Sequence, residues 1–160
     1  MVEEKNKPNE EKKEKKIVET IKEKKEAKVS GRNLTMSIKH AVAICNMIRR
    51  KNIDKAISML EEVIKFKRVV PMKGEIPHKK GIMSGRYPVK ASLIILNLLK
   101  SLKANALLNE LELEKFELFC MPNVAFRPYK RFGQGRIKRS SVELKLIPLK
   151  IKKGNKGVKK

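Results

Sequence analysis

The chain has 160 residues, and its 40 Lys and Arg against 17 Asp and Glu leave a formal net charge of +23. An excess of about one positive charge per seven residues repels itself in a compact state and calls for a polyanion, so nucleic acid or an anionic membrane is the default partner and a small-molecule enzyme is disfavoured. Aromatic residues make up only 4% and Trp is absent, which leaves Ile, Leu, Val and Met to build the core.

A length near 160 suggests one domain with tails. Residues 1–28 hold ten Lys and eight Glu with very few large apolar side chains. Such a composition does not bury enough surface to offset its ordering entropy, and it reads as a charged tail. The tail is nearly neutral, so the basicity belongs to the body. Residues 29–149 are long enough for a single modest core. Residues 150–160 hold six Lys and no acid and read as a flexible basic arm.

Within the body, 29–35 suggests a short strand weakened by Gly31. Ser37 is a good N-cap, and Ile38, Ala41, Val42, Cys45 and Ile48 follow at helical spacing, with Arg49, Arg50 and Lys51 placed to meet the helix dipole. Asn52 caps a second helix with Asp54 in its first turn and Ile53, Ala56, Ile57, Leu60 and Ile64 on one face, ending before Pro71. Residues 70–86 form a loop with two prolines and three glycines, long enough to suggest function. Pro88 at the N1 position opens a helix to about Asn109, with Ala91, Ile95, Leu98, Leu102 and Ala106 on its apolar face. At about 33 Å it should be the central packing element. Its longest apolar run, 91–99, is too short to cross a bilayer.

Two strands are predicted next, 116–121 and 141–149. The second alternates Val142, Leu144 and Leu146 with Glu143 and Lys145. Gly133 and Gly135 supply the turn signal between them. If both strands run to that turn, they make a hairpin of which roughly 33 Å projects beyond the sheet.

Catalysis finds little support. Cys45 and Cys120 stand 75 positions apart and, with only His40 and His78, show no zinc spacing. A Glu/Lys tract rather than an apolar leader follows Met1, so they read as two thiols of a reducing cytosol, Cys45 in a helix core. Asp54, the single Asp, is explained by its helix turn. His40 and Cys45 lie about 140° apart around one helix, which separates nucleophile from base. His40 reads as part of a capping turn, and His78, beside Lys79 and Lys80, as a phosphate or base contact. No metal or cofactor is implied.

The basic segments say more. Residues 65–90 hold eight cations and one Glu, and 127–139 hold Arg127, Lys130, Arg131, Arg136, Lys138 and Arg139 with no acid. Both are irregular, and they interleave Tyr87, Phe126, Tyr129 and Phe132. Arg forks grip phosphate and aromatics stack on unpaired bases, a pairing suited to folded RNA. The alternative is a free basic, chromatin-type DNA-binding protein, but the basic residues cluster in loops and no reading helix stands out.

These segments carry a resemblance. Gly85-Arg-Tyr-Pro-Val-Lys-Ala91 at the start of the long helix, with Gly31-Arg-Asn33, Ser37-Ile-Lys-His40, Ile48-Arg-Arg-Lys-Asn52, His78-Lys-Lys-Gly81 and Ala104-Asn-Ala106, resembles the universal large-subunit ribosomal protein L twenty-two family in its archaeal form. The resemblance covers 29–149. It implies an α+β fold, a small three-stranded antiparallel sheet packed with three helices, plus a long protruding hairpin over 116–149. It further implies a structural, non-enzymatic role in the cytoplasmic ribosome, where the protein binds large-subunit rRNA, touches neighbouring ribosomal proteins and lines the exit tunnel beside the nascent peptide. No membrane and no small-molecule substrate is expected. Carried over by motif, Arg32, Lys39, Lys79, Lys80, Arg86 and Lys90 fall on the rRNA-facing body, and His78 and Tyr87 lie among them. The hairpin tip falls at Arg131, Phe132, Gly133, Gln134, Gly135 and Arg136. There Phe132-Gly-Gln-Gly-Arg-Ile137 stands where relatives carry Ala-x-Gly-Arg-Ala.

Overall fold

The computed structural model describes residues 27–74 and 77–149, so the basic arm and all of the charged tail except Ala27 and Lys28 lie outside the described residues. In chain order the elements are β1 (Lys28–Leu34), α1 (Ile38–Ile48), α2 (Ile53–Ile64), β2 (Val70–Pro71), β3 (Gly85–Arg86), α3 (Val89–Leu108), β4 (Phe116–Val124) and β5 (Ser140–Pro148). Strands β1, β5 and β4 form one antiparallel sheet in that order, and β2 and β3 pair as a separate two-stranded ribbon. With three α-helices over a three-stranded sheet, the architecture is α+β, as the residue patterns and the resemblance imply.

The core follows from periodicity. Along β5, Ser140, Val142, Leu144 and Leu146 are buried while Ser141, Glu143, Lys145 and Ile147 stay half-exposed. The buried row meets Ile44 and Ile48 of α1, Leu60 and Val63 of α2, and Ile95, Leu99 and Leu102 of α3 in a single cluster. Each fully buried Ile or Leu contributes roughly 1.5–3 kcal/mol of transfer free energy. Helix α3 is long and apolar enough to cross a membrane by length and composition. Its Ala91, Ile95, Leu99, Leu102 and Ala106 face is nonetheless 0–2% exposed, which makes it the core helix of this domain. The face is broader than the sequence pattern suggests: Leu99 is fully buried, whereas Leu98 is partly exposed and rests against β1 at Gly31.

Helix ends depart from expectation in detail. Ser37 and Asn52 occupy the N-cap positions with extended backbone, but neither side chain makes a capping hydrogen bond. Pro88 sits one residue before α3 rather than inside it. Arg49 and Arg50 lie past the end of α1 and serve the sheet instead of the dipole. The Arg49 guanidinium donates to the Cys120 carbonyl at 2.9 Å and lies 5.8 Å from the centre of the Phe119 ring. Arg50 takes a left-handed turn (φ 59°) that lets its N–H donate to the Leu118 carbonyl at 2.8 Å, while the Leu118 N–H donates to the Lys51 carbonyl at 3.0 Å. The junction between the two helices thereby covers part of the free edge of β4, which would otherwise present unpaired backbone groups. Asp54 reaches Lys103 at 2.6 Å and ties α2 to α3, an exposed pair worth at most about 1 kcal/mol.

The cysteines are not two thiols. Cys45 of α1 and Cys120 of β4 are joined by a disulfide, with Cα atoms 5.5 Å apart, and both are fully buried. A separation of 75 residues conceals this pairing, because only the packing of α1 on β4 brings them together.

The β4–β5 ladder runs in register from Phe116–Pro148 to Val124–Ser140. Beyond it the strands do not continue to the turn as expected. One isolated bridge, Tyr129–Arg136, spans the outer segment, with backbone hydrogen bonds from Lys130 to Gly135 and from Ile137 to Pro128. Pro128 has no N–H to donate, and little apolar material is available to pack there.

The β2–β3 ribbon depends on a close approach. A Cβ built on Gly85 would lie 2.2 Å from Val69 Cγ1, and valine's branched side chain turns aside only at a cost. Gly85→Ala is therefore expected to lower stability by about 1–3 kcal/mol through overpacking. The thermal midpoint measures this, and an unchanged midpoint would show that the ribbon yields freely.

Candidate nucleic-acid interface

The sequence-expected cations fall into three places. Around the ribbon, Lys79 pairs its backbone with Ile82, making a tight turn that exposes His78, Lys79 and Lys80. Lys79 Nζ lies 5.9 Å from the centre of the half-buried Tyr87 ring, whose edge packs on Phe66 at 5.4 Å. Part of Tyr87 is thus occupied within the protein. Lys90 is exposed in the first turn of α3.

At the outer end of the β4–β5 segment, residues 129–138 are all exposed. Arg131 opens a short 3₁₀ turn with Phe132 (φ 56°), followed by Gly133 (φ 65°), Gln134 and Gly135 (φ 85°). The glycines turn the chain as expected. Phe132, 93% exposed, takes a left-handed conformation costly for a residue with a Cβ. Arg136 lies over the Tyr129 ring at 4.6 Å and donates to the Tyr129 hydroxyl at 2.6 Å, which holds both side chains in place. Lys130 is exposed beside them. At the root, Arg127 and Arg139 are half-buried, and Arg139 donates to the Asn33 carbonyl at 3.2 Å. These two therefore also have a structural part. A small hollow there is lined by Arg32, Asn33, Asn123 and Phe126, which brings β1 and the hairpin root to one surface.

The third place is a cleft of about 880 Å³ between α1, the ribbon and the strand leading into β5. It gathers Lys39, Arg86 and Lys138, which the sequence scatters over a hundred positions, together with Lys73 and His40. Among the described residues, no Asp or Glu lines it. Sequence reasoning passed over His40 as part of a capping turn. The structure places it half-buried on the cleft wall, where burial foremost, and then Arg86 and Lys138, hold its pKa below the ordinary 6.5. The Ser37-Ile-Lys-His40 motif was the one available signal.

Among the described residues, no group of three or more His, Cys, Asp or Glu is placed to hold a metal ion. What the surface offers is an array of guanidinium and ammonium donors with a few exposed rings, suited to phosphates and unpaired bases. Most acids that form ion pairs are already matched with lysines elsewhere: Glu143 of β5 accepts from Lys28 and Lys145, and Glu112 pairs with Lys115.

Comparison with known proteins bears on this surface. Residues 29–144 match the family model described as ribosomal protein L22p/L17e. A protein named large ribosomal subunit protein uL22 from Archaeoglobus fulgidus is 41% identical over 98 residues, covering 58% of this chain and 63% of its own length. The proteins of that name from Methanococcus aeolicus and Methanosphaera stadtmanae are 42% and 44% identical over 100 and 98 residues, covering 59% and 58% of this chain and 65% and 64% of their own lengths. The matches thus span just under two thirds of each relative.

Proposed function

Because the chain belongs to the ribosomal protein L22p/L17e family, we propose that it is a structural component of the large ribosomal subunit in the cytoplasm, where it binds large-subunit rRNA. The observation that carries the reading is the acid-free basic segment 127–139, exposed over 129–138, together with the basic cleft beside it. The relatives named as large-subunit proteins support it. In this reading Arg32, Lys39, Lys79, Lys80, Arg86 and Lys90 hold phosphates from the body, with His78 and Tyr87 between them. The segment 125–139, anchored at its root by Arg139, reaches into the exit tunnel and presents its tip to RNA and to the nascent peptide. Neighbouring ribosomal proteins meet the remaining surface. The role is architectural: phosphate contacts position the RNA, and no reaction is involved.

Sedimentation of a lysate tests it. The protein is expected in the large-subunit and ribosome fractions, resistant to DNase and released by RNase. Recovery with DNA, or only at the top of the gradient, would favour the chromatin-type alternative.

A further inference from the structure

The cleft between α1 and the ribbon is more than a patch of charge. Its floor is apolar, formed by the half-buried Ile38, Val42 and Met47 of α1 and by Met72 beside the ribbon. Its rim carries Lys39, Arg86 and Lys138, from three separate parts of the chain, with no acid among the described lining residues. A duplex would use only that rim, since it presents phosphates on a convex surface and keeps its base faces stacked inside. An acidic peptide would match the rim too, but its carboxylates gain nothing from the floor. An unpaired nucleotide satisfies both: its flat base offers an apolar face, and its phosphate is anionic. Methionine side chains adapt to such a surface.

We propose that this cleft receives a single unpaired nucleotide of the RNA, its base against Ile38, Val42, Met47 and Met72 and its phosphate between Lys39, Arg86 and Lys138. The proposal rests on the RNA-binding reading above and adds to it a defined site. His40 fits the same role. With its pKa lowered, its imidazole favours the neutral form and has one donor and one acceptor to offer a base edge, rather than adding to the charge of Lys39, Arg86 and Lys138. A cleft of about 880 Å³ has room for a nucleotide with its sugar and flanking phosphate.

Filling the cleft without touching its charges separates the two readings. Ala43→Trp fills it from α1, and Met72→Trp fills it from the opposite wall, so a folding defect in one, read by the thermal midpoint, leaves the other to report. Filter binding of the full chain to transcribed large-subunit rRNA at fixed salt is expected to weaken about tenfold or more in the folded variants, the size of a lost base-stacking contact. The slope of log affinity against log salt should stay as in the parent, because the cations remain. Parent-like affinity in both folded variants overturns the nucleotide site, including the case in which a peptide fills the cleft, and leaves RNA binding intact. Failure of the parent itself to bind rRNA overturns the functional reading instead. Ultraviolet crosslinking of the parent complex supplies a direct check. A crosslink from residues 38–47 to an unpaired nucleotide supports the site, and one to a base-paired position overturns it.

Discussion

Raising monovalent salt from about 50 to 200 mM is expected to weaken binding of the full chain to large-subunit rRNA by roughly a thousandfold or more. The reason lies in how the charge is arranged. The chain carries +23, and residues 127–139 bring six cations with no acid. The cleft gathers four basic side chains on one face, three of them additional because Lys138 is shared with that run. If each phosphate neutralised releases its condensed counterion, six or more such contacts give a steep linear fall of log affinity with log salt. Ion pairs such as those of Glu62, Asp54 and Glu112 do not compensate, because they are exposed. Filter binding across a salt series reads the slope. A change of less than about tenfold over that range would mean that fewer than a handful of these cations touch phosphate, and the electrostatic account would fail.

The double substitution Arg131→Glu with Arg136→Glu should separate folding from function most sharply. Residues 129–138 are exposed, and the bridge between Tyr129 and Arg136 is confined to the outer segment. Losing the Arg136–Tyr129 stack removes about 0.5–1 kcal/mol from the tip alone. The free protein's thermal midpoint should therefore stay within a few degrees of the parent. Incorporation into large subunits should fall severely, since two cations proposed to seek phosphate become anions that repel it. Gradient profiles of cells carrying the double variant read this as immature subunits. Arg136→Lys keeps the charge but loses the planar fork and its stack on Tyr129, so it should give an intermediate profile. A large fall in midpoint for the double variant would mean that the segment packs on the body.

Much of this was legible in the residues themselves. The alternation of Val142, Leu144 and Leu146, the helical spacing from Ile38 to Ile48 and the glycines at 133 and 135 each report a local rule, and local rules survive folding. Net charge and acid-free runs are likewise readable, because no tertiary contact changes how many cations a segment carries. The expectation of a polyanionic partner and the two basic segments proposed to meet it therefore came from the chain alone.

What required the tertiary structure is whatever depends on segments far apart in sequence meeting in space. Arg49 leaves its helix end for the Cys120 carbonyl because α1 lies on β4, and the same packing joins Cys45 to Cys120. The ladder stops at Val124–Ser140 because the strands beyond it have no core to rest on. The cleft exists because the antiparallel return into β5 carries Lys138 back beside His40, where the ribbon already places Arg86. Periodicity locates a residue on one element, but only long-range packing brings three elements to one cavity.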